Sequence, residues 1–144
     1  MHLLVYTSQS LIEPAVAEFE LDQIVADSKR NNTANGLTGV MFQHRDRFIQ
    51  LLEGEQSAIR QTFERIQKDP RHTQIEILFD SAIRQRGCPD WSMGAFDIPE
   101  NVDISSQHLK ALSDGYRKNF IVQTDTILSL LRGFVSEPMD LSSL

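Results

Sequence analysis

The chain has 144 residues, of which 40% are hydrophobic and 24% charged, and its formal net charge is −6. This length and composition fit one globular domain with a short addition. The acidic balance, without a dense Lys/Arg cluster, argues against nucleic acid as a direct partner. There is no apolar run of about 18 residues and no secretion signal, and Cys88 is the one cysteine. We therefore expect a cytoplasmic protein that neither spans a membrane nor carries disulfides.

The predicted elements alternate between strands and helices over the first two thirds of the chain. In chain order they are a strand over 2–8, a helix over 18–31, strands over 37–42 and 48–52, a helix over 55–68, and strands over 74–83 and 90–96. This order, β-α-β-β-α-β-β, predicts an α+β fold, a ferredoxin-like sandwich with two helices on one face of a five-stranded mixed sheet.

Two further amphipathic helices are predicted near the C-terminal end, over 106–119 and 123–134. We therefore divide the chain into a domain over 1–97 and a helical extension over 98–144. Because amphipathic helices without an effector domain beside them favour self-association, we expect a homo-oligomer.

The inner stripe of the first predicted helix becomes polar toward its end. Its apolar residues are continued, at the same helical spacing, by Ser28, Asn31 and Asn32. Ordinary capping explains an asparagine at the end of a helix, but a cap does not need two asparagines and a serine on an inward stripe.

Gln50 lies inside the third predicted strand and shares a face with Phe48 and Leu52, because strand side chains alternate. If this face is the core, the Gln50 amide is buried and needs hydrogen-bond partners. If the strand lies at an edge of the sheet, Gln50 faces water. The pattern alone leaves both alternatives open.

The polar residues are expected to converge on one cleft between the helices. Tyr6 and Gln50 would project into it from neighbouring strands, and Arg65 and Asp69 would border it from the second helix. Amide, hydroxyl and guanidinium groups between apolar walls suit a flat heteroaromatic ligand. The four histidines show no metal-ligand spacing, so we expect neither a metal site nor a hydrolase; His44, in a strand turn, is expected to face solvent.

The chain resembles the BLUF domain, the sensor of blue light using flavin, over residues 1 to about 97. The matching segments are YTSQ at 6–9, RNNTANGLTG at 30–39, FIQLLEGE at 48–55, RI at 65–66, DPRH at 69–72 and WSM at 91–93. The resemblance implies a photoreceptor, not an enzyme, that holds FAD (or FMN or riboflavin) non-covalently between its two helices. It also implies a separate downstream signalling protein as the partner.

By this resemblance, Tyr6 and Gln50 are the photoactive pair, and Trp91 and Met93 belong to the segment that relays the signal. The positions that match flavin-binding ones are Tyr6, Ser28, Asn31, Asn32, Gln50, Arg65, Ile66, Asp69, Arg71 and His72. Light would make Tyr6 release an electron and then a proton, and recombination would leave Gln50 rotated, tautomerised or both, with red-shifted absorption. Whether Trp91 or Met93 lies nearer the flavin stays open. A flavin-dependent oxidoreductase and a ferredoxin-like small-ligand module are the alternative functions.

Overall fold

The computed structural model describes residues 1–87 and 89–97. Cys88 and the two helices predicted within 98–144 lie outside the described residues. The elements are β1 (His2–Ser10), a short 3-10 helix (Pro14–Val16), α1 (Ala17–Asn35), β2 (Thr38–His44), β3 (Arg47–Gly54), α2 (Gln56–Gln67), β4 (His72–Ala82) and β5 (Gly94–Asp97).

The five strands form one mixed sheet in the order β4-β1-β3-β2-β5. Neighbouring strands are antiparallel except β2 and β5, which are parallel. The predicted ferredoxin-like fold is confirmed. Because β3 lies between β1 and β2, Gln50 is on a central strand, and the edge-strand alternative is wrong.

Both helices pack on the same face of the sheet, through two apolar clusters. The first joins α2 to β1 and contains Leu4, Tyr6, Leu37, Ile59 and Phe63. The second joins α1 to β2 and β3 and contains Met41, Phe48, Leu52 and Met93, with Leu21, Ile24 and Val25 of α1 against them. Ile66 of α2 packs against both clusters, so the helices flank a cleft that opens toward the sheet.

The opposite face of the sheet is buried as well, and many of its residues are apolar. Six apolar residues of β1, β2 and β3 on this face are at most 3% exposed: Leu3, Val5, Val40, Phe42, Ile49 and Leu51. Strands that are buried on both faces carry apolar residues on both faces, and β1, β2 and β3 follow this rule.

The first helix is longer than predicted and continues to Asn35. It ends at Gly36, whose φ of 68° is the left-handed conformation that glycine adopts at low cost, and whose N–H donates to Asn32 O. Asn31 and Asn32 therefore lie inside α1 and are not its caps.

The prediction for His44 is wrong, because its side chain is only 3% exposed. β2 continues to His44, two residues beyond the predicted end of the strand. Strand alternation then places His44 on the buried face that carries Phe42 and Val40.

Two glycines provide a matched test of the packing. A Cβ at Gly39 would lie 2.4 Å from Leu51 O on the paired strand, whereas a Cβ at Gly36 meets nothing within 4 Å. We expect Gly39→Ala to lower the free energy of unfolding by about 3 kcal/mol, since backbone must shift. Gly36→Ala is expected to cost about 1 kcal/mol, from its left-handed φ alone. Urea unfolding measures the free energy of unfolding of both variants. Equal losses of stability would contradict the close, rigid packing of β2 against β3 at Gly39.

Candidate functional site

A cavity of about 470 Å³ lies between α1, α2 and the sheet. Its volume is in the range of small-molecule and cofactor sites. All ten residues predicted to bind the cofactor line it: Tyr6, Ser28, Asn31, Asn32, Gln50, Arg65, Ile66, Asp69, Arg71 and His72. The structure thus brings together residues from five elements and from the turn after α2.

The sheet side of the cavity carries a hydrogen-bonded pair. Tyr6 and Gln50 are directly opposite each other in the β1–β3 register, and the Tyr6 hydroxyl donates to Gln50 Oε1. Both side chains are buried, at 4% and 5% exposure. The register of two central strands therefore determines this contact.

The other end of the Gln50 amide faces Met93, whose Sδ lies 3.9 Å from Gln50 Nε2. A thioether sulfur is only a weak acceptor, so this end of the amide is held less firmly than the end at Tyr6. Trp91 is buried, and neither Trp91 nor Met93 is among the residues that line the cavity. Met93 Sδ is thus a direct neighbour of the Gln50 amide in this structure.

Burial raises the pKa of the Tyr6 phenol far above its ordinary value, and the nearby Asp69 carboxylate raises this pKa further. The phenol therefore stays protonated and acts as a hydrogen-bond donor. Its ring is held edge-on by Phe63, with centroids 5.4 Å apart, and lies 6.4 Å from the His72 ring.

The α1 side of the cavity is polar because three of its inward residues carry hydroxyl or amide groups. Asn32 is 1% exposed, and its Nδ2 donates to Ser92 O over 2.6 Å. Asn31 Nδ2 donates to Thr62 Oγ1 over 3.1 Å, and Arg65 Nη1 donates to Asn31 Oδ1. These bonds connect α1 to α2 and to the residues before β5.

His72 connects the end of α2 to β1. Its Nε2 lies 2.6 Å from Ile66 O and its Nδ1 lies 2.8 Å from Ser8 Oγ. A carbonyl oxygen only accepts, so Nε2–H donates to Ile66 O. Both ring nitrogens therefore have a hydrogen-bond partner.

The mouth of the cavity is lined by alternating charges. Arg71 Nε donates to both oxygens of Asp69, over 2.9 and 3.1 Å, and Arg71 Nη1 lies 3.8 Å from Asp27 Oδ2. Hydrogen bonding to Arg71 lowers the pKa of Asp69. Arg30 pairs with Asp27 one turn earlier on α1.

Sequence reasoning missed several of the lining residues, among them Ile24, Asp27, Arg30, Asn35, Met41, Phe48 and Thr62. Helical spacing could have found three of them. Asp27 and Asn35 lie four residues before and after Asn31, on the same side of α1. Thr62 likewise lies four residues before Ile66.

The family model described as "BLUF: Sensors of blue-light using FAD" matches residues 1–94 of the chain. The chain belongs to the BLUF family. The prediction of a flavin-binding blue-light sensor rather than an enzyme is thereby confirmed for this domain.

Curated relatives share the domain within longer proteins. The blue light- and temperature-regulated antirepressor BluF of Escherichia coli (strain K12) is 30% identical over 135 residues, which are 92% of this chain and 32% of that protein. The photoactivated adenylate cyclase subunit beta of Euglena gracilis is 29% identical over 117 residues, 76% of this chain and 13% of that protein. The chain therefore spans between about an eighth and a third of these relatives.

Solved structures of similar length also match. BlrB, a BLUF protein in its dark state, is 27% identical with a TM-score of 0.67, and the match covers 99% of this chain and 96% of that chain. The photo-activated state of BlsA is 27% identical with a TM-score of 0.70, covering 97% and 99%.

The donor set of the cavity fits a flavin ring. A flavin presents carbonyl oxygens and an N–H on one edge, and the cavity offers the amides of Asn31, Asn32 and Gln50 beside the apolar Ile66 and Met41.

No helix among the described residues is long and apolar enough to cross a membrane.

The raised pKa of Tyr6 predicts a pH dependence of stability. Unfolded tyrosine ionises near pH 10, whereas buried Tyr6 does not. Its contribution to stability is therefore complete below about pH 10 and declines above it, by about 1.4 kcal/mol per pH unit. The difference in free energy of unfolding between the flavin-loaded wild type and Tyr6→Phe, measured in urea, should shrink by about 1 kcal/mol from pH 10 to 11, because the unfolded tyrosine is half ionised at pH 10. A constant difference would contradict the burial of a neutral phenol.

Proposed function

We propose that this BLUF domain is a light-driven hydrogen-bond switch operated by Tyr6, Gln50 and Met93. The observation that supports it most directly is the buried bond from Tyr6 to Gln50 Oε1, with Met93 Sδ at the other end of the same amide. An amide between a strong and a weak partner can exchange its ends at a small cost in hydrogen bonding.

The flavin ring would be held by the polar face of α1 and by the sheet. Asn31 and Asn32 offer amide donors and acceptors to the carbonyl and N–H edge of the ring, and Ile66 offers an apolar contact from α2. The bond of Asn31 to Thr62 and that of Asn32 to Ser92 orient these amides before the ring binds. Ser28 and Arg65 complete the polar wall.

When bound, the flavin supplies a strong one-electron oxidant after it absorbs blue light. Tyr6 is an oxidisable residue in direct hydrogen-bond contact with Gln50. Once its phenol has lost an electron, the Oη proton becomes strongly acidic, and its hydrogen-bond acceptor is Gln50 Oε1. The negative charge of Asp69, which raises the phenol pKa, also favours loss of the electron because it stabilises positive charge nearby.

Return of the electron and the proton to Tyr6 leaves the Gln50 amide rotated, tautomerised or both. In either case the groups that Gln50 presents to Tyr6 and to Met93 exchange their donor and acceptor roles. A hydrogen bond from Gln50 to a ring carbonyl would then shift the absorption to longer wavelength. The contact between Gln50 and Met93 changes in the same event, which passes the signal to the residues before β5.

We propose FAD as the bound flavin. The description of the family names FAD, and the guanidinium groups of Arg30 and Arg71 at the mouth can pair with phosphate oxygens. FMN and riboflavin carry the same ring, so the ring site itself accepts all three. Acid release from protein purified out of cells, followed by chromatography, identifies the flavin; FMN or riboflavin as the main species would contradict the proposal.

We further propose that the signal leaves through a separate cytoplasmic partner protein and a homo-oligomer interface, with residues 98–144 as the connecting extension. The relatives support a signalling role, since they include an antirepressor and a cyclase subunit. Analytical ultracentrifugation in darkness and under blue light tests the oligomer. A monomer in both conditions would contradict this part of the proposal.

Two substitutions test the switch. Tyr6→Phe removes the electron and proton donor, and Gln50→Ala removes the amide that is exchanged. We expect each variant to bind flavin and to lose at least 95% of the light-induced red shift, measured by absorption spectroscopy. An oxidoreductase or a small-ligand module, the two alternatives, would not show this shift even in the wild type.

Matched controls are available in the chain. Tyr116→Phe makes the same change at the second tyrosine, and Gln61→Ala removes an exposed amide on α2. Both should retain the red shift of the wild type. A normal red shift in Tyr6→Phe or Gln50→Ala would refute the role assigned to that residue.

A further inference from the structure

The residues between β4 and β5 contact the switch at one end. Met93 Sδ lies 3.9 Å from Gln50 Nε2, and Ser92 O accepts a hydrogen bond from Asn32. The backbone of the same stretch is held by β2, because Gly39 N–H donates to Trp91 O over 3.0 Å. We refer to residues 89–93 as the relay segment.

A second set of contacts holds the residues just before the relay segment. Arg86 Nη1 donates to Thr38 Oγ1 over 2.8 Å and to Glu53 O over 3.1 Å. Arg86 Nη2 donates to Gly36 O over 2.6 Å, and Gly87 N–H donates to Glu53 Oε2 over 2.9 Å. One guanidinium group therefore connects the end of α1, the start of β2 and the end of β3.

Glu53 makes this arrangement unusual, because its side chain is 0% exposed. A buried carboxylate is costly unless it is well paired and hydrogen-bonded. Glu53 Oε1 accepts from Thr38 Oγ1 over 2.9 Å. The Thr38 hydroxyl therefore donates to the carboxylate and accepts from Arg86, and so links the two charges.

This cluster is separate from the flavin cavity. Glu53, Thr38 and Arg86 are not among the residues that line the cavity. Glu53 lies three residues after Gln50 on β3 and so projects to the opposite face of the sheet. The cluster does not contact the cavity directly, so its influence on the switch is indirect, and the relay segment that follows Arg86 in the chain is the route proposed below.

We propose that Glu53, Thr38 and Arg86 form an anchor that fixes the relay segment and sets the rate at which Gln50 returns to its dark arrangement. They are positioning residues, and the proposal rests on the proposed function, because that return is a step of the switch. Gln50 cannot exchange its amide ends without changing its contact with Met93. An anchored relay segment resists this change in both directions, so loss of the anchor lowers the barrier.

Arg86→Gln tests the anchor, because it removes the charge and the forked geometry. We expect the red-shifted state to return to the dark state about tenfold faster, as followed by absorption. We also expect hydrogen exchange of the Gly39 amide, measured by NMR in darkness on the flavin-loaded protein, to be at least tenfold faster. Arg86→Lys keeps the charge but cannot reach all three acceptors, so its rates should lie between those of the wild type and Arg86→Gln.

Thr38 offers a matched pair of variants with a small change in volume. Thr38→Val removes the hydroxyl that links the charges and should behave like Arg86→Gln, whereas Thr38→Ser keeps the hydroxyl and should behave like the wild type. Arg60→Gln makes the same charge change at an exposed position of α2 and should change neither rate.

Two results would overturn the proposal. One is wild-type recovery in both Arg86→Gln and Thr38→Val, even with a lower melting temperature, which would indicate a structural role only. The other is a hydrogen-exchange rate of the Gly39 amide that is the same in Arg86→Gln as in the wild type. Absence of a red shift in the wild type would instead overturn the proposed function and the kinetic role with it; the exchange at Gly39 would still decide whether the anchor holds the relay segment.

Discussion

The hydrogen bond between Tyr6 and Gln50 depends on the pairing of β1 with β3, and the rest of the site is arranged around it. The two residues are direct cross-strand partners on the face that carries both helices. Neither strand is at an edge of the sheet, so the register is determined by ladders on both sides of each strand. This places a phenol and an amide in contact inside a core, where a polar group without a partner would be costly.

The electrostatics of the cavity keep Tyr6 and Asp69 each in one protonation state. Burial and Asp69 hold the Tyr6 phenol neutral, and Arg71 in turn holds Asp69 ionised by lowering its pKa. Both ring nitrogens of His72 have hydrogen-bond partners, Ser8 and Ile66. The phenol and the carboxylate therefore keep the same protonation state near neutral pH.

The fold could be predicted well from the sequence because apolar periodicity reports element type and order. The convergence of Tyr6 with Gln50 also followed from strand alternation once the sheet was assumed. Helix ends were less predictable: two asparagines at the predicted end of α1 resembled caps, but the left-handed Gly36 ends the helix later. His44 was misjudged for a similar reason, since two additional strand residues reversed its expected environment. Arg86 and Glu53 gave no periodic signal, because their contacts join residues distant in sequence.

The buried Asn32 has a consequence for the order of assembly of the site. Its side chain bonds to Ser92 O, sixty positions further along the chain, so the polar wall of α1 is complete only after the last strand has joined the sheet. A chain that has formed β1 to β4 without β5 would still lack Met93 beside Gln50. The proposed flavin site is therefore complete only when β5 is in place, and free flavin should stabilise the docked state of β5.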